Sequence, residues 1–188
     1  MIYIKDEEFI RGDCPMTKQE IRILSTAKME LKEDFRVLDI GAGTGSVSIQ
    51  IAKICEKGQV IAIEKEEEAL QVIIKNKEKF NVDNLTIIEG EALAIEKDIN
   101  GVFDAIFIGG SGKNIEEIIK NYDKKLKINS NMVLNFITID NLYKAMDTLK
   151  NLNYNVECIQ VSISKTRGES YMMIASNSIF ILTGKKAI

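Results

Sequence analysis

The sequence predicts a single-domain α/β fold built on a mostly parallel sheet of seven strands. Two observations predict it: short apolar runs alternate with amphipathic helical segments from residue 35 to about 151, and the alternation stops after the fifth run. Near-continuous apolar runs are typical of parallel strands that are buried on both faces. The 188 residues suffice for one domain with its own core. We therefore expect five parallel strands, followed by two strands with no helix between them.

The spacing of apolar residues predicts each element in order. Thr17 and Glu20 have the spacing of a capping box, and Ile21 and Leu24 recur at helical spacing after them. We expect helices over 18–30, 45–55, 67–79, 114–126 and 140–151, and strands over 35–40, 60–63, 85–88, 103–108, 132–137, 156–163 and 178–182. The last two strands can pair as an antiparallel hairpin at one edge of the sheet. Residues 164–177 would then form a long loop between them.

The composition excludes several classes of function. The chain contains no histidine, which rules out Ser-His-Asp and Cys-His nucleophiles and histidine-rich zinc sites. Its three cysteines are scattered without the spacing of metal ligands, so we expect reduced structural thiols and no metal. The net charge of −3 and the lack of a dense Lys/Arg tract argue weakly against nucleic acid as a partner. There is no signal peptide and no apolar run of membrane-spanning length, which predicts a cytoplasmic location without membrane attachment.

A glycine-rich segment joins the first strand to the second helix and carries the strongest functional signal. Gly41 and Gly43 allow the backbone to turn tightly and to approach a ligand closely. The helix that follows presents free N–H groups, which favour a carboxylate or another anion. The spacing is G-x-G-x-G, and Ser46 stands where a dinucleotide-binding motif would have its third glycine.

Further candidates follow the next three strands at the same end of the predicted sheet. Glu64 directly follows the second strand, where a carboxylate can accept both hydroxyls of a ribose. Small residues in Glu89-Gly90-Glu91-Ala92 leave room for a flat adenine ring after the third strand. The cluster Gly109-Gly110-Ser111-Gly112 keeps the site open after the fourth strand. Together, these features predict a nucleoside-containing ligand with an anionic or carboxylate group.

Taken together, these motifs resemble the seven-stranded, Rossmann-like class I methyltransferases. A narrower resemblance, to the cobalt-precorrin-6B C15-methyltransferases of anaerobic cobalamin synthesis, rests on residues 9–12, 15–20, 39–49, 108–112 and 180–185. It implies S-adenosylmethionine as cofactor and a helical segment over about 17–30 that covers its site. The cofactor-binding residues that the resemblance implies are Thr17, Gly41, Ala42, Gly43, Thr44, Gly45, Glu64 and Ala92.

The same resemblance implies the reaction and the assembly. A tetrapyrrole would be methylated at C15 and would lose CO2 from the acetate on C12, and the protein would be a homotetramer. No catalytic residue is assigned, because an electron-rich carbon can attack the sulfonium methyl without a strong base. The sequence departs from the expected pattern at Cys14 and at Lys113-Asn114, which puts substrate contacts in doubt.

A polycarboxylate substrate calls for cationic side chains, and Arg suits a carboxylate best. Arg11, Arg167 and Lys113 are the candidate substrate anchors. Two other readings stay open: a methyltransferase acting on tRNA or protein, and a nicotinamide-dependent dehydrogenase or nucleotide-sensing module.

Overall fold

The computed structural model describes residues 3–110, 112 and 114–187. Short 3₁₀ turns at Asp6–Glu8 and Glu96–Asp98 accompany five helices, α1 Gln19–Lys28, α2 Ser46–Ile54, α3 Glu67–Phe80, α4 Ile115–Asp123 and α5 Ile139–Asn151. The strands are β1 Arg36–Ile40, β2 Gln59–Glu64, β3 Leu85–Glu89, β4 Phe103–Ile108, β5 Leu126–Phe136, β6 Tyr154–Val161, β7 Ser164–Arg167, β8 Met172–Ala175 and β9 Ile179–Lys186. Within the described residues, no helix is long and apolar enough to span a bilayer.

Seven of these strands form one sheet in the order β3-β2-β1-β4-β5-β9-β6. Strands β1 to β5 pair in parallel, and β9 runs antiparallel to both of its neighbours. The predicted single-domain, mostly parallel α/β fold is therefore confirmed.

The far edge of the sheet differs from the sequence-based prediction in one respect. Strands β6 and β9 do pair antiparallel, but β9 lies between β5 and β6 and is hydrogen-bonded to both. The physical reason is burial: Ile181 and Leu182 point to opposite faces of β9 and are 1% and 0% exposed. A strand buried on both faces belongs inside a sheet, and the more exposed β6 takes the edge.

The segment 164–177 is not the unstructured loop that the sequence predicts. It folds into a second, two-stranded antiparallel sheet, β7–β8, whose pairing runs from Ser164–Ala175 to Arg167–Met172. All eight strand residues are exposed. The hairpin therefore adds little to the core, which explains why hydrophobic periodicity does not reveal it.

Alternating side chains of the large sheet enter two separate cores. Val37, Phe107 and Val133 face α1, α2 and α3, whereas Leu38 and Ile106 face α4 and α5. Because helices cover both faces, the ends of the strands are the accessible part of the sheet. The carboxyl ends of β1, β4 and β5 lie side by side at the same end of the sheet.

The start of α1 is held by a buried arginine rather than by the predicted capping box. The helix begins at Gln19, no side chain caps it, and Glu20 instead forms an ion pair with Lys165 at 2.6 Å, so the capping-box prediction is wrong. Arg22, fully buried, donates from Nη1 to the carbonyl of Thr17 at 2.8 Å and to Asp6 Oδ1 at 3.1 Å. These bonds fix the chain before α1 against the helix.

Candidate active site

A cleft of about 410 Å³ lies at the carboxyl ends of β1, β4 and β5. Its wall is formed by the glycine bend after β1, the chain before α1, and the ends of β4, β5 and β9. Five of the predicted cofactor residues line it: Thr17, Gly41, Ala42, Gly43 and Thr44. The structure thus brings Thr17, which precedes α1, into the same cleft as the glycine bend after β1.

The glycine bend is shaped by close backbone contacts. Gly41 has a φ of +74°, its N–H donates to the carbonyl of Ile63 at 2.9 Å, and a Cβ on it would lie 2.6 Å from the carbonyl oxygen of Gly110. Gly45 has a different role, because a Cβ there would lie 2.3 Å from the side chain of Ile73. Gly45 is not among the residues that line the cleft, so packing against α3 explains it.

Glu64 is buried and bound to the glycine bend rather than solvated with the acidic run that follows it. Glu64 is the last residue of β2 and is 7% exposed. Its Oε2 accepts a hydrogen bond from the N–H of Gly43 at 2.7 Å, and Oε1 accepts from the N–H groups of Lys65 and Glu66 at 2.8 and 3.0 Å. Oε1 already accepts two bonds and Oε2 only one, so Oε2 keeps acceptor capacity for a ligand.

Ala92 lies in a turn after β3 and does not line the cleft. Its carbonyl accepts a hydrogen bond from the hydroxyl of Tyr122 at 2.7 Å, and the preceding Glu91 accepts from the N–H groups of Leu93 and Ala94 at 3.0 Å each. This network orders the turn that follows the strand beside Glu64.

Three buried atoms in the cleft wall have no hydrogen-bond partner among the described residues. They are Asp39 Oδ1, Thr44 Oγ1 and Asn135 Nδ2. A buried polar atom without a partner costs about 1–3 kcal/mol. An acceptor, a hydroxyl and an amide donor around one cavity indicate a polar ligand that satisfies them.

Asp39 is the most unusual of the three, since it is fully buried in the middle of the sheet. The pKa of Asp39 is raised to about 7, mainly because the carboxyl is buried. The nearby Glu64 carboxylate contributes to the rise, and a hydrogen bond from Ser48 Oγ to Oδ2 opposes it. Sequence reasoning placed Asp39 in the motif without a role and missed Asn135. The signal that could have found both is a polar side chain inside an otherwise apolar strand.

A second cavity of about 940 Å³ adjoins the cleft and is more charged. The two share Pro15, Met16, Lys18, Ile21, Ile137 and Ile179 as lining residues. Arg11 and Lys165 line the second cavity, together with acidic residues such as Glu20, the partner of Lys165.

The three predicted substrate anchors, Arg11, Arg167 and Lys113, do not lie together at one described site. Arg11 lines the second cavity, which adjoins the cleft. Arg167 ends β7 in the exposed hairpin and lines neither cavity. Lys113 and Ser111 lie outside the described residues. In the described part of the chain, no group of His, Cys, Asp or Glu could hold a metal ion.

Strand order, the glycine bend after β1 and the acidic end of β2 together define the class I methyltransferase fold. The crystal structure of precorrin-6y C5,15-methyltransferase from Geobacter metallireducens superimposes with a TM-score of 0.93 at 37% identity, covering 98% of this chain and 97% of that chain. The chain belongs to the precorrin methyltransferase family: the family model described as "Precorrin methyltransferase domain" matches residues 8–185.

Curated relatives cover nearly the whole chain. A probable cobalt-precorrin-6B C(15)-methyltransferase (decarboxylating) from Sulfurisphaera tokodaii is 43% identical over 187 residues, which are 97% of each protein. The cobalt-precorrin-6B C(15)-methyltransferase (decarboxylating) from Salmonella typhimurium is 35% identical over 187 residues, covering 97% of this chain and 96% of the relative. The family resemblance drawn from the motifs is confirmed.

Proposed function

We propose that this chain is an S-adenosylmethionine-dependent C-methyltransferase that methylates C15 of cobalt-precorrin-6B and removes CO2 from the acetate on C12. The observation that carries the proposal is the cleft itself: three buried polar atoms without partners surround a glycine bend in a chain of the precorrin methyltransferase family. Membership of a methyltransferase family argues against the nicotinamide-dependent alternative.

Residues of the cleft, together with Gly45, Glu64 and Ala92 outside its lining, are proposed to hold S-adenosylmethionine. Asp39 Oδ1 is an acceptor for the ammonium group, and Thr44 Oγ1 with the N-terminal end of α2 can donate to the carboxylate. Glu64 keeps acceptor capacity for the ribose hydroxyls, and the turn containing Ala92 borders the adenine. Thr17, Gly41, Ala42 and Gly43 complete the proposed contacts, and Gly45 shapes the bend.

When bound, S-adenosylmethionine supplies an already activated methyl group. The chain then has to hold an electron-rich carbon in line and to exclude water, and neither task needs a histidine. Met16, Ile21, Phe107, Phe136 and Ile179 give the cleft an apolar wall that excludes water. We therefore propose catalysis by positioning, without a protein base.

The second cavity is the proposed place for the macrocycle. Its volume of about 940 Å³ is at the upper end of small-molecule pockets, and Ile137 lines both this cavity and the cleft. Arg11 and Lys18 line it and can pair with substrate carboxylates. Lys165 also lines it but is paired with Glu20. Arg167 and Lys113 are also proposed to contact substrate carboxylates. Arg167 lies in the β7–β8 hairpin, and Lys113 lies outside the described residues.

A homotetramer is also part of the proposal, and the β7–β8 hairpin supports it. Tyr171 and Met172 are 76% and 58% exposed, and Met173 and Ile174 beside them are exposed as well. Several large apolar side chains exposed on one short hairpin indicate an interaction surface. Met172→Glu should lower the sedimentation coefficient, whereas Ile74→Glu, at an exposed position on α3, should not. A wild-type protein that sediments as a monomer would contradict the assembly.

We also propose a cytoplasmic location, which the three free thiols support.

The function is tested by incubating the protein with methyl-labelled cofactor and cobalt-precorrin-6B. We expect the substrate to gain one methyl group and to release CO2. Parallel incubation with bulk tRNA separates this proposal from the nucleic-acid alternative, and calorimetry with S-adenosylhomocysteine against NAD separates it from the nicotinamide alternative. Methyl transfer to tRNA with none to the precorrin would contradict the proposal.

A further inference from the structure

The side-chain amide of Asn135 on β5 has a hydrogen-bond partner for its oxygen but none for its nitrogen among the described residues. Its Oδ1 accepts a hydrogen bond from the hydroxyl of Ser25 at 3.0 Å, and Ser25 is fully buried on α1. The oxygen and nitrogen of an amide diverge from the same planar carbon, so a bond that fixes the oxygen also fixes the direction of the nitrogen. The bond to α1 therefore turns Nδ2 away from the helix, and Nδ2 is buried without a partner in a residue that lines the cleft.

The surroundings of Asn135 make this free donor costly. Neighbouring cleft residues Phe136, Ile137 and Ile179 are apolar and offer no side-chain acceptor. An unpaired buried N–H destabilises the folded chain because it has lost its hydrogen bonds to water, and an apolar side chain of similar size would avoid that loss. The amide is useful at this position when a bound molecule accepts its N–H.

The position of Asn135 in the sheet indicates which molecule that is. Asp39 is in register with Phe107, and Phe107 with Val133, so Asn135 lies two strands away from Asp39 and two residues further along. With strands about 4.8 Å apart, this is a separation of roughly 10 Å or more. The amino-acid tail of the proposed cofactor is shorter than that span. Asn135 is also two residues from Ile137, which lines both the cleft and the second cavity.

We propose that Asn135 Nδ2 donates a hydrogen bond to a carboxylate oxygen of the methyl acceptor, and that Ser25 holds the amide in the orientation required. This inference rests on the proposed function and deepens it, because it assigns a substrate contact within the same site. Ser25 is a positioning residue, since it acts only through Asn135.

The test uses Asn135→Asp, which keeps the shape and the bond from Ser25 but replaces the donor with a negatively charged acceptor. We expect kcat/KM for cobalt-precorrin-6B to fall about 10- to 100-fold, mainly through KM, while the Kd of S-adenosylhomocysteine stays within twofold. Ser25→Ala should give a smaller fall in the same direction. Asn155→Asp makes the same chemical change at an exposed position on β6 and should have no effect. An unchanged kcat/KM, or a matching loss of S-adenosylhomocysteine affinity, would overturn the inference.

A second measurement needs no folded variant and no turnover. In ¹⁵N-labelled wild-type protein, the side-chain amide resonance of Asn135 should shift when cobyrinic acid, a corrin polycarboxylate, is added to the complex with S-adenosylhomocysteine. It should shift much less when S-adenosylhomocysteine is added alone. No shift with the corrin refutes the contact. Failure of the wild-type enzyme to methylate cobalt-precorrin-6B refutes instead the proposed function, so the two failures are distinguishable.

Discussion

The pKa of Asp39 predicts that cofactor affinity depends on pH near neutrality. In the free protein, burial raises the pKa of this carboxyl to about 7, so the group is largely neutral below pH 7. A neutral acid cannot pair with the ammonium group of the cofactor as strongly as a carboxylate does. Binding therefore requires Asp39 to lose its proton, and lower pH opposes binding.

The magnitude follows from this linkage. Below pH 7, the apparent Kd of S-adenosylhomocysteine should rise toward tenfold per pH unit, and between pH 7.5 and 5.5 it should rise about 25-fold. At pH 6, binding should release about 0.9 proton per ligand. The ammonium and carboxylate of the ligand do not titrate in this interval, so the protein causes the change.

Isothermal titration calorimetry measures both quantities, with the proton count obtained from two buffers of different ionisation enthalpy. Asn at position 39 cannot ionise, so Asp39→Asn should bind more weakly at pH 7.5 and should show a flat profile. A wild-type Kd that stays within twofold from pH 5.5 to 7.5 would refute the role of Asp39. A variant that keeps the wild-type pH dependence would refute it as well.

Three further predictions concern stability and the glycine bend. Because Asp39 has a higher pKa in the folded than in the unfolded chain, the free protein should lose stability as the pH rises from about 4 to about 7. The loss is at most about 4 kcal/mol, and Asp39→Asn should abolish it in urea unfolding at the two pH values. Glu64→Gln should weaken S-adenosylhomocysteine binding about 10- to 100-fold by calorimetry, whereas exposed Glu67→Gln should leave it unchanged, and equal Kd values would contradict a ligand role for Glu64. Gly41→Ala should lower the melting temperature more than Gly43→Ala, by several degrees. Both have positive φ, but the new Cβ meets backbone at 2.6 Å in the first case and at 3.4 Å in the second, so equal losses would count against the close approach.

Residues close together in the chain determined what the sequence could predict. Alternating apolar runs set the five parallel strands, and the glycines after β1 marked the bend that lines the cleft. Glu64 could be placed at the same edge because parallel strands end together. These features depend on local spacing and on a general property of parallel sheets.

Contacts between distant residues were decided only by the tertiary structure. Strand β9 lies between β5 and β6, and its apolar run Ile179–Leu182 fits a strand buried on both faces. The run does not show which strands are its neighbours. Glu20, expected to cap α1, pairs instead with Lys165, and the hydroxyl of Ser25 reaches Asn135, 110 residues away. The sequence shows which polar groups the chain contains, but the tertiary contacts determine which of these groups are hydrogen-bonded to one another. Asp39 and Asn135, which each keep one side-chain atom without a partner, line the cleft of the proposed site.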